Sequence, residues 1–254
     1  MKRVLNAILL VLAAVVLGHA QKVSGDIKGT PRVLMVLSSH GELGNTGKET
    51  GFYLSEATHA YEVFKDRGFV IDVVSPEGGK APVDGFDLKD SVNKKFWNDK
   101  EFRHKVENTL TPDEVKAGDY DAIYYAGGHG TMWDFPENEK LAQIAADIYE
   151  NNGVVSAVCH GPIALVNIKL SNGEYLVHGK TVSVFTNEEE SAIQLTEVVP
   201  YLLEEKMKER GVTVEKAGMW QEKVSVDNRL VTGQNPASAH KVAAEVVQLV
   251  NSVR

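Results

Sequence analysis

The stretch Ser156-Ala157-Val158-Cys159-His160-Gly161-Pro162 holds the residues with the clearest capacity for chemistry. An apolar run leads straight into a cysteine, with Ala two positions before it, Gly two after it and Pro opening the next segment. That is the spacing of a nucleophile elbow, where small neighbours let a strand turn sharply and hold the nucleophile above a sheet edge. A helix starting behind the turn would favour a thiolate, because free backbone N–H groups and the helix dipole stabilise negative charge there. A lone cysteine is more commonly a small buried hydrophobe, so the spacing needs support from other residues. Cys159 is the chain's only cysteine, which excludes an internal disulfide even where export would permit one.

Partners for such a thiol are present. His160 could fold its imidazole back onto the sulfur as a base, although a residue at a helix start more simply faces solvent. Gly127-Gly128-His129-Gly130 closes another apolar run; glycines there admit a ligand to the backbone and offer N–H groups to an oxyanion, while a glycine turn alone is weak support. Glu56 borders an apolar helix face with Ala60 and Val63. A carboxyl held there would have a raised pKa and could donate a hydrogen bond to a thiolate, although periodicity alone favours an ordinary boundary glutamate. Glu188-Glu189-Glu190 reads first as a solvated helix start, yet one of the three could orient His160. Trp97, Trp133 and Phe135 are candidate pocket walls, though aromatics more often fill cores. His40, Glu42, His59 and His129 lack tight ligand spacing, so no metal is expected; nothing suggests a redox cofactor, and no cofactor is expected at all.

These groups need a scaffold, and strand and helix patterns alternate along the chain. Residues 32–39 form a near-continuous apolar run, as in a strand buried on both faces. Leu54, Ala57, Tyr61 and Phe64 recur at helical spacing within residues 51–67, before Gly68. Further strands are expected over 70–75, 121–126, 154–158 and 181–186, with an amphipathic helix through Leu141, Ile144, Ala145 and Ile148 that closes at Asn152-Gly153. Leu230–Thr232 reads as a short strand, Asn235 as an N-cap with Pro236 at the first helical position, and Val242, Val246 and Leu249 as one face of a closing helix. This alternation predicts a doubly wound α/β fold, a mostly parallel sheet with helices on both faces, in one domain over residues 32–254. Residues 77–118 interrupt it; they are charged, contain Phe96 and Trp97, and read as a helical insertion or lid.

Residues 1–20 read as an export signal. Lys2 and Arg3 precede an uncharged apolar run from Ala7 to Leu17, and Gly18-His19-Ala20 places small residues where a signal peptidase acts. The run is too short to span a bilayer comfortably, which takes roughly 20 apolar residues; an uncleaved anchor is the alternative. Residues 21–31 read as a flexible lead-in. Cleavage would remove two positive charges and no negative one, moving the formal charge from -8 to -10. An acidic chain without a basic cluster argues against nucleic acid as a partner, and after cleavage no stable membrane association is expected.

Five stretches together resemble the ThiJ/PfpI superfamily, which includes a Parkinsonism-associated deglycase and class I glutamine amidotransferase-like proteins. They are TGFYLSEATHAYEVF (50–64), YYAGGHGTMWDFP (124–136), AVCHGP (157–162), VFTNEEE (184–190) and LVTGQNPASAH (230–240). The match is nearest to the branch of glutathione-independent glyoxalases, or glyoxalase III, also described as heat-inducible chaperones. The resemblance implies a flavodoxin-like fold with Cys159 as nucleophile, Glu56 as the carboxyl that contacts it, and His160 as triad histidine. It implies Glu190 as the triad acid, ahead of Glu189 and Glu188, and an oxyanion hole from Gly128 and the His160 amide; Gly127, His129 and Trp133 are further candidates for the oxyanion and substrate site. It also implies a homodimer.

The expected reaction converts methylglyoxal, a small 2-oxoaldehyde, to lactate through a hemithioacetal on Cys159. The same thiol could instead hydrolyse amides or remove glycation adducts from proteins. A third reading is a holdase chaperone in which Cys159 senses oxidation.

Overall fold

The computed structural model describes residues 29–254, so the expected signal at 1–20 and most of the lead-in at 21–31 lie outside the described residues. In chain order the elements are β1 (Arg32–Val36), β2 (Phe52–Tyr53), α1 (Leu54–Asp66), β3 (Val70–Val74), β4 (Val83–Asp84), α2 (Ser91–Trp97), α3 (Lys100–Glu107) and β5 (Ala122–Tyr125). There follow α4 (Thr131–Asp134), α5 (Glu139–Glu150), β6 (Val154–Val158), β7 (Thr181–Val182), α6 (Asn187–Ala192), α7 (Leu203–Glu209), β8 (Thr213–Val214), β9 (Val224–Asp227), β10 (Leu230–Gly233) and α8 (Ala239–Val253).

Six strands form the main sheet in the order β3-β1-β5-β6-β10-β9. Every neighbouring pair is parallel except β10 with β9, an antiparallel edge hairpin. The fold is therefore the doubly wound α/β arrangement that the alternation predicts. β5 and β6 are buried along their whole length, as strands covered on both faces must be. Successive strand residues point to opposite faces, and two adjacent tyrosines show what lies on each side. The Tyr124 hydroxyl donates to the Glu56 carbonyl on α1 at 2.9 Å, whereas the Tyr125 hydroxyl donates to the Leu141 carbonyl on α5 at 3.2 Å. α1 packs against α8 on the first face, and α5 covers β5 and β6 on the second.

Three expectations change. Residues 181–186 do not join the main sheet: only Thr181–Val182 are in strand conformation, and they pair with β8 in a separate two-stranded sheet. The place beside β6 is taken by β10, whose Leu230–Gly233 matches Val155–Val158 residue for residue. The closing helix buries Val242, Ala243, Val246, Val247 and Val250, with Leu249 only partly covered. Asn235 occupies the expected cap position, but its side chain makes no cap hydrogen bond and reaches the Glu189 carboxyl instead.

Residues 77–118 contribute α2, α3 and the short β4, which pairs with β2. Asp90 and Asp99 each cap a helix here by accepting two backbone N–H groups. Phe96 and Phe102 are buried and meet Tyr61 of α1 edge-on at 5.2 and 5.1 Å. The segment is thus bound to the core through an aromatic cluster on α1.

Candidate active site

The site lies beyond the carboxyl ends of β5 and β6, where open α/β sheets place their ligands. β6 ends at Val158, and Cys159 turns the chain with φ +60°. That left-handed conformation costs a non-glycine residue of order 1–3 kcal/mol, and such strain persists where surrounding structure over-determines it. Here the Cys159 N–H donates to the Gly233 carbonyl at 2.9 Å, and its own carbonyl accepts from the Phe185 N–H at 3.0 Å. The neighbouring strand and the chain leading to α6 thus fix the elbow from both sides. The element behind it is a seven-residue 3-10 turn, Gly161–Asn167, rather than an α-helix, so its dipole is a smaller help to a thiolate than a full helix would give.

Cys159 is 3 % exposed and His160 0 %. The sulfur lies 3.4 Å from Nδ1 of His160. On the far side of the ring, Nε2 of His160 is 2.7 Å from Oε2 of Glu190. The other Glu190 oxygen is 3.0 Å from Nε2 of His129, whose ring sits 4.1 Å from that of His160. Burial works against a charge on Glu190, yet the hydrogen bonds from His129 and His160 outweigh it and hold the carboxyl down to about 2. An ionised carboxylate only accepts, so Nε2 carries the proton on both rings. Nδ1 of His160 is then a free lone pair facing the thiol. Burial, with His129 adding to it, pushes His160 down to about 4 against the pull of Glu190, so the ring is neutral at neutral pH and available as a base.

Glu56 is fully buried in the first turn of α1. Its Oε2 accepts the Gly127 N–H at 2.7 Å, Oε1 has no hydrogen-bond partner, and the Cys159 thiol lies close enough to influence the carboxyl. Burial pushes Glu56 up to about 8, against the pull of the thiol and the Gly127 N–H, which leaves it protonated at neutral pH. The thiol is pushed up by burial and by an ionised Glu56, and pulled down by the His160 N–H. Protonation of Glu56 removes the repulsive part, so the thiolate forms most readily beside a neutral carboxyl that donates to it.

The turn after β5 offers one amide less than its glycines suggest. The Gly127 N–H donates to Glu56, which leaves Gly128 and the His160 amide as the expected oxyanion donors. Gly128 has φ +102°, and a Cβ there would meet the Gly51 carbonyl oxygen at 2.3 Å; only glycine fits. Of the three glutamates, Glu188 pairs with Lys216 at the surface and Glu190 faces the histidines. Glu189 is fully buried and accepts five hydrogen bonds: from the Thr186 N–H and hydroxyl, the Trp220 N–H, and the side-chain amides of Gln234 and Asn235.

A cavity of about 350 Å³ opens over the sulfur, lined by Tyr53, Phe185, Ile193, Trp220, Pro236 and Ala237 together with Gly128, His129, Cys159, His160 and Asn235. Trp133 is not among them. It stacks on His40 at 5.1 Å and faces Gly44 and Val198 in a separate hollow, because the short helix α4 turns it toward the 40–46 loop. Phe135 packs on Tyr125, Trp97 lies near Phe86 and Arg103, and no residue of 77–118 lines the cavity. Phe185, Ile193 and Trp220 line it instead. Sequence reasoning missed them because Phe185 falls within the expected 181–186 strand, where it read as a strand residue, and Ile193 and Trp220 come from irregular chain beyond it.

His129, His160 and Glu190 lie within 4.8 Å of one another and could hold a metal ion between them. Each ring nitrogen that would bind it already donates to Glu190, so a metal there would take from His160 the carboxylate that orients it. Of the other histidines weighed, His59 pairs with Asp90 and His40 Nε2 lies 2.6 Å from the Glu42 carbonyl.

A cysteine on a strained strand-to-turn elbow, with a buried histidine–carboxylate pair on one side and a buried glutamate of raised pKa on the other, is the arrangement a thiol nucleophile needs, on a flavodoxin-like sheet. Residues 48–249 match the DJ-1/PfpI family, and the chain belongs to that family. Among curated relatives, it is 33 % identical over 228 residues to Glyoxalase 3 of Candida albicans, covering 85 % of this chain and 97 % of that protein. It is also 33 % identical over 237 residues to the glutathione-independent glyoxalase HSP31 of Saccharomyces cerevisiae, covering 87 % and 98 %. Among solved structures, the Rapid Encystment Protein 24 kDa of Francisella tularensis superposes with a TM-score of 0.84 at 41 % identity, over 87 % of this chain and 99 % of that one. Glyoxalase III from Candida albicans gives 0.81 at 32 % identity, over 86 % and 97 %.

Proposed function

We propose that the chain is a glutathione-independent glyoxalase that converts a 2-oxoaldehyde such as methylglyoxal to the 2-hydroxy acid, the activity that the Saccharomyces cerevisiae relative carries in its name. The observation that carries the reading is the position of one thiol between a neutral base and a protonated acid. Sγ lies 3.4 Å from the His160 lone pair, and Glu56 sits beside it with a pKa raised to about 8. That is the range in which a group both gives and takes protons efficiently.

The steps balance without an external oxidant. The thiol proton passes to Nδ1 of His160 as sulfur attacks the aldehyde carbon, and the new alkoxide takes the Glu56 proton to give a hemithioacetal. Glu56, now a carboxylate, removes the proton on that carbon; electrons move onto the ketone oxygen, which takes the proton from His160 to give an enediol. Glu56 returns its proton to the second carbon while His160 takes the one on the first oxygen. The product is a 2-hydroxyacyl thioester. Glu56 then deprotonates an attacking water, the Gly128 N–H stabilises the oxyanion, and the expelled thiolate recovers its proton from His160. Carbon one is oxidised and carbon two reduced within the substrate.

Glutathione-free turnover of methylglyoxal by freshly reduced protein tests this, with lactate followed over many turnovers alongside Cys159→Ala and Glu56→Gln. Sustained lactate lost in both variants is expected. Adduct formation limited to one equivalent in the unaltered protein overturns the reading. The near-complete burial of Cys159 favours a small substrate over a protein side chain. Two further proposals accompany this one. Export with cleavage after Ala20 rests on the charge and apolar pattern of residues 1–20 and is read by N-terminal sequencing of protein recovered outside the cytoplasm. A homodimer rests on family resemblance and is read by light scattering.

A further inference from the structure

We infer that the cavity over Cys159 selects 2-oxoaldehydes whose substituent is apolar and larger than methyl, with Trp220 as the residue that receives it. This rests on the glyoxalase reading and adds the substrate's side chain to it.

The first observation is the mismatch between the cavity and methylglyoxal. Methylglyoxal needs roughly 90 Å³ at interior packing density, about a quarter of the 350 Å³ above the sulfur. The reacting atoms are confined to the floor by Cys159, His160 and Gly128, so the remaining space lies outward, toward Tyr53, Phe185, Ile193, Trp220, Pro236 and Ala237. Among the described residues, no lysine or arginine lines this space, so nothing there would receive a phosphate or carboxylate substituent. An apolar group entering it would be removed from water at about 25 cal/mol per Å².

The second observation concerns Trp220 itself. It is 48 % exposed with φ +63°, a conformation that is a genuine outlier for a bulky residue. Strain of this kind collects at ligand clamps, where the surroundings hold it in place. Here the holder is Glu189, buried 31 residues earlier in the chain, whose Oε1 accepts the Trp220 N–H at 2.9 Å. The same oxygen accepts from the Asn235 side-chain amide at 2.8 Å, which also donates to the Gln221 carbonyl at 2.8 Å, and Glu189 stands next to Glu190. One buried carboxyl, one residue away from the glutamate that faces His160, therefore anchors the backbone that carries the indole. Phe185 supports the ring from within at 5.8 Å, and Ile193 continues the apolar wall at 36 % exposure. A tryptophan left half in water at the cost of backbone strain has its unburied surface available for a ligand.

The test compares methylglyoxal with phenylglyoxal in the full chain, its Trp220→Ala variant and its Trp220→Phe variant, following lactate and mandelate without glutathione. The unaltered protein is expected to show kcat/KM roughly tenfold or more in favour of phenylglyoxal, the scale on which an apolar pocket discriminates. Trp220→Ala is expected to lose at least tenfold more on phenylglyoxal than on methylglyoxal, mainly through KM, and Trp220→Phe to recover most of the difference. Equal losses on both substrates, or a preference for methylglyoxal in the unaltered protein, overturn the inference and leave the glyoxalase reading standing. Absence of turnover on either substrate overturns both.

Discussion

At Glu56 a single proton decides the state of the site. In the proposed mechanism the active form has Glu56 protonated and His160 neutral, and burial holds these two groups at about 8 and about 4. Activity should therefore hold through the neutral range and fall as pH rises through about 8. A pH profile of kcat/KM that shows no alkaline limb near that value would remove Glu56 from the role of proton carrier. Gly128 allows a sharper test. Gly128→Ala combines a left-handed φ with a Cβ pressed against the Gly51 carbonyl, so the turn must shift and its N–H with it. The loss of one oxyanion donor costs about 10²–10³ in kcat, and steady-state kinetics with an unchanged circular dichroism spectrum would separate this from unfolding. Much of the site was legible at this scale: strand-cysteine-histidine-glycine spelled the elbow, and the apolar spacing around Glu56 hinted at its burial. Glu189 was not legible. Three acids in a row read as a solvated helix start, and only the fold reveals that donors from Trp220, Gln234 and Asn235 converge on the middle one.

The strands that build the floor of the site, β1, β5 and β6, announce themselves as apolar runs because they are buried on both faces, and so does the spacing of α1 and α5. Residues 181–186 mislead for a related reason. Val182, Val184 and Phe185 are buried, yet the stretch packs across the end of the sheet, where periodicity cannot tell a strand from extended chain held by side-chain partners such as Thr232. Residues 77–118 read only as a helical insertion or lid without defined helices, because α2 and α3 bury only one or two large residues each, too few to give a strong repeat. Their contribution is nevertheless to the core. Phe102→Ala should cost about 3–5 kcal/mol of stability, as truncation of a buried phenylalanine does, while methylglyoxal turnover per folded molecule persists well below the lowered midpoint. Denaturant titration and kinetics on the same sample would check both halves.

Over the whole molecule the buried ionisable groups make stability depend on pH in a predictable sense. The unfolded chain releases the Glu56 proton near the ordinary value of 4.5, whereas the folded chain keeps it to about 8. The folded state binds more protons between those values, so this group lowers stability as pH rises across the window. Glu190 acts the other way: held at about 2 when folded, it contributes stability above 4.5 that is lost as pH falls toward 2. Thermal unfolding from pH 5 to 8.5 should therefore show Glu56→Gln gaining on the unaltered protein as pH rises, and parallel curves would contradict the assignment. The wiring of Glu189 bears also on the order of assembly. Its donors other than Thr186 lie 31 to 46 residues further along the chain, and the amide of Cys159 waits for Gly233. At roughly 5–20 residues per second of synthesis, the sulfur emerges several seconds before the wall that will shelter it. During that interval the newborn chain carries a bare thiol and no enzyme, and its exposure to oxidants ends only when the last strand and helix dock.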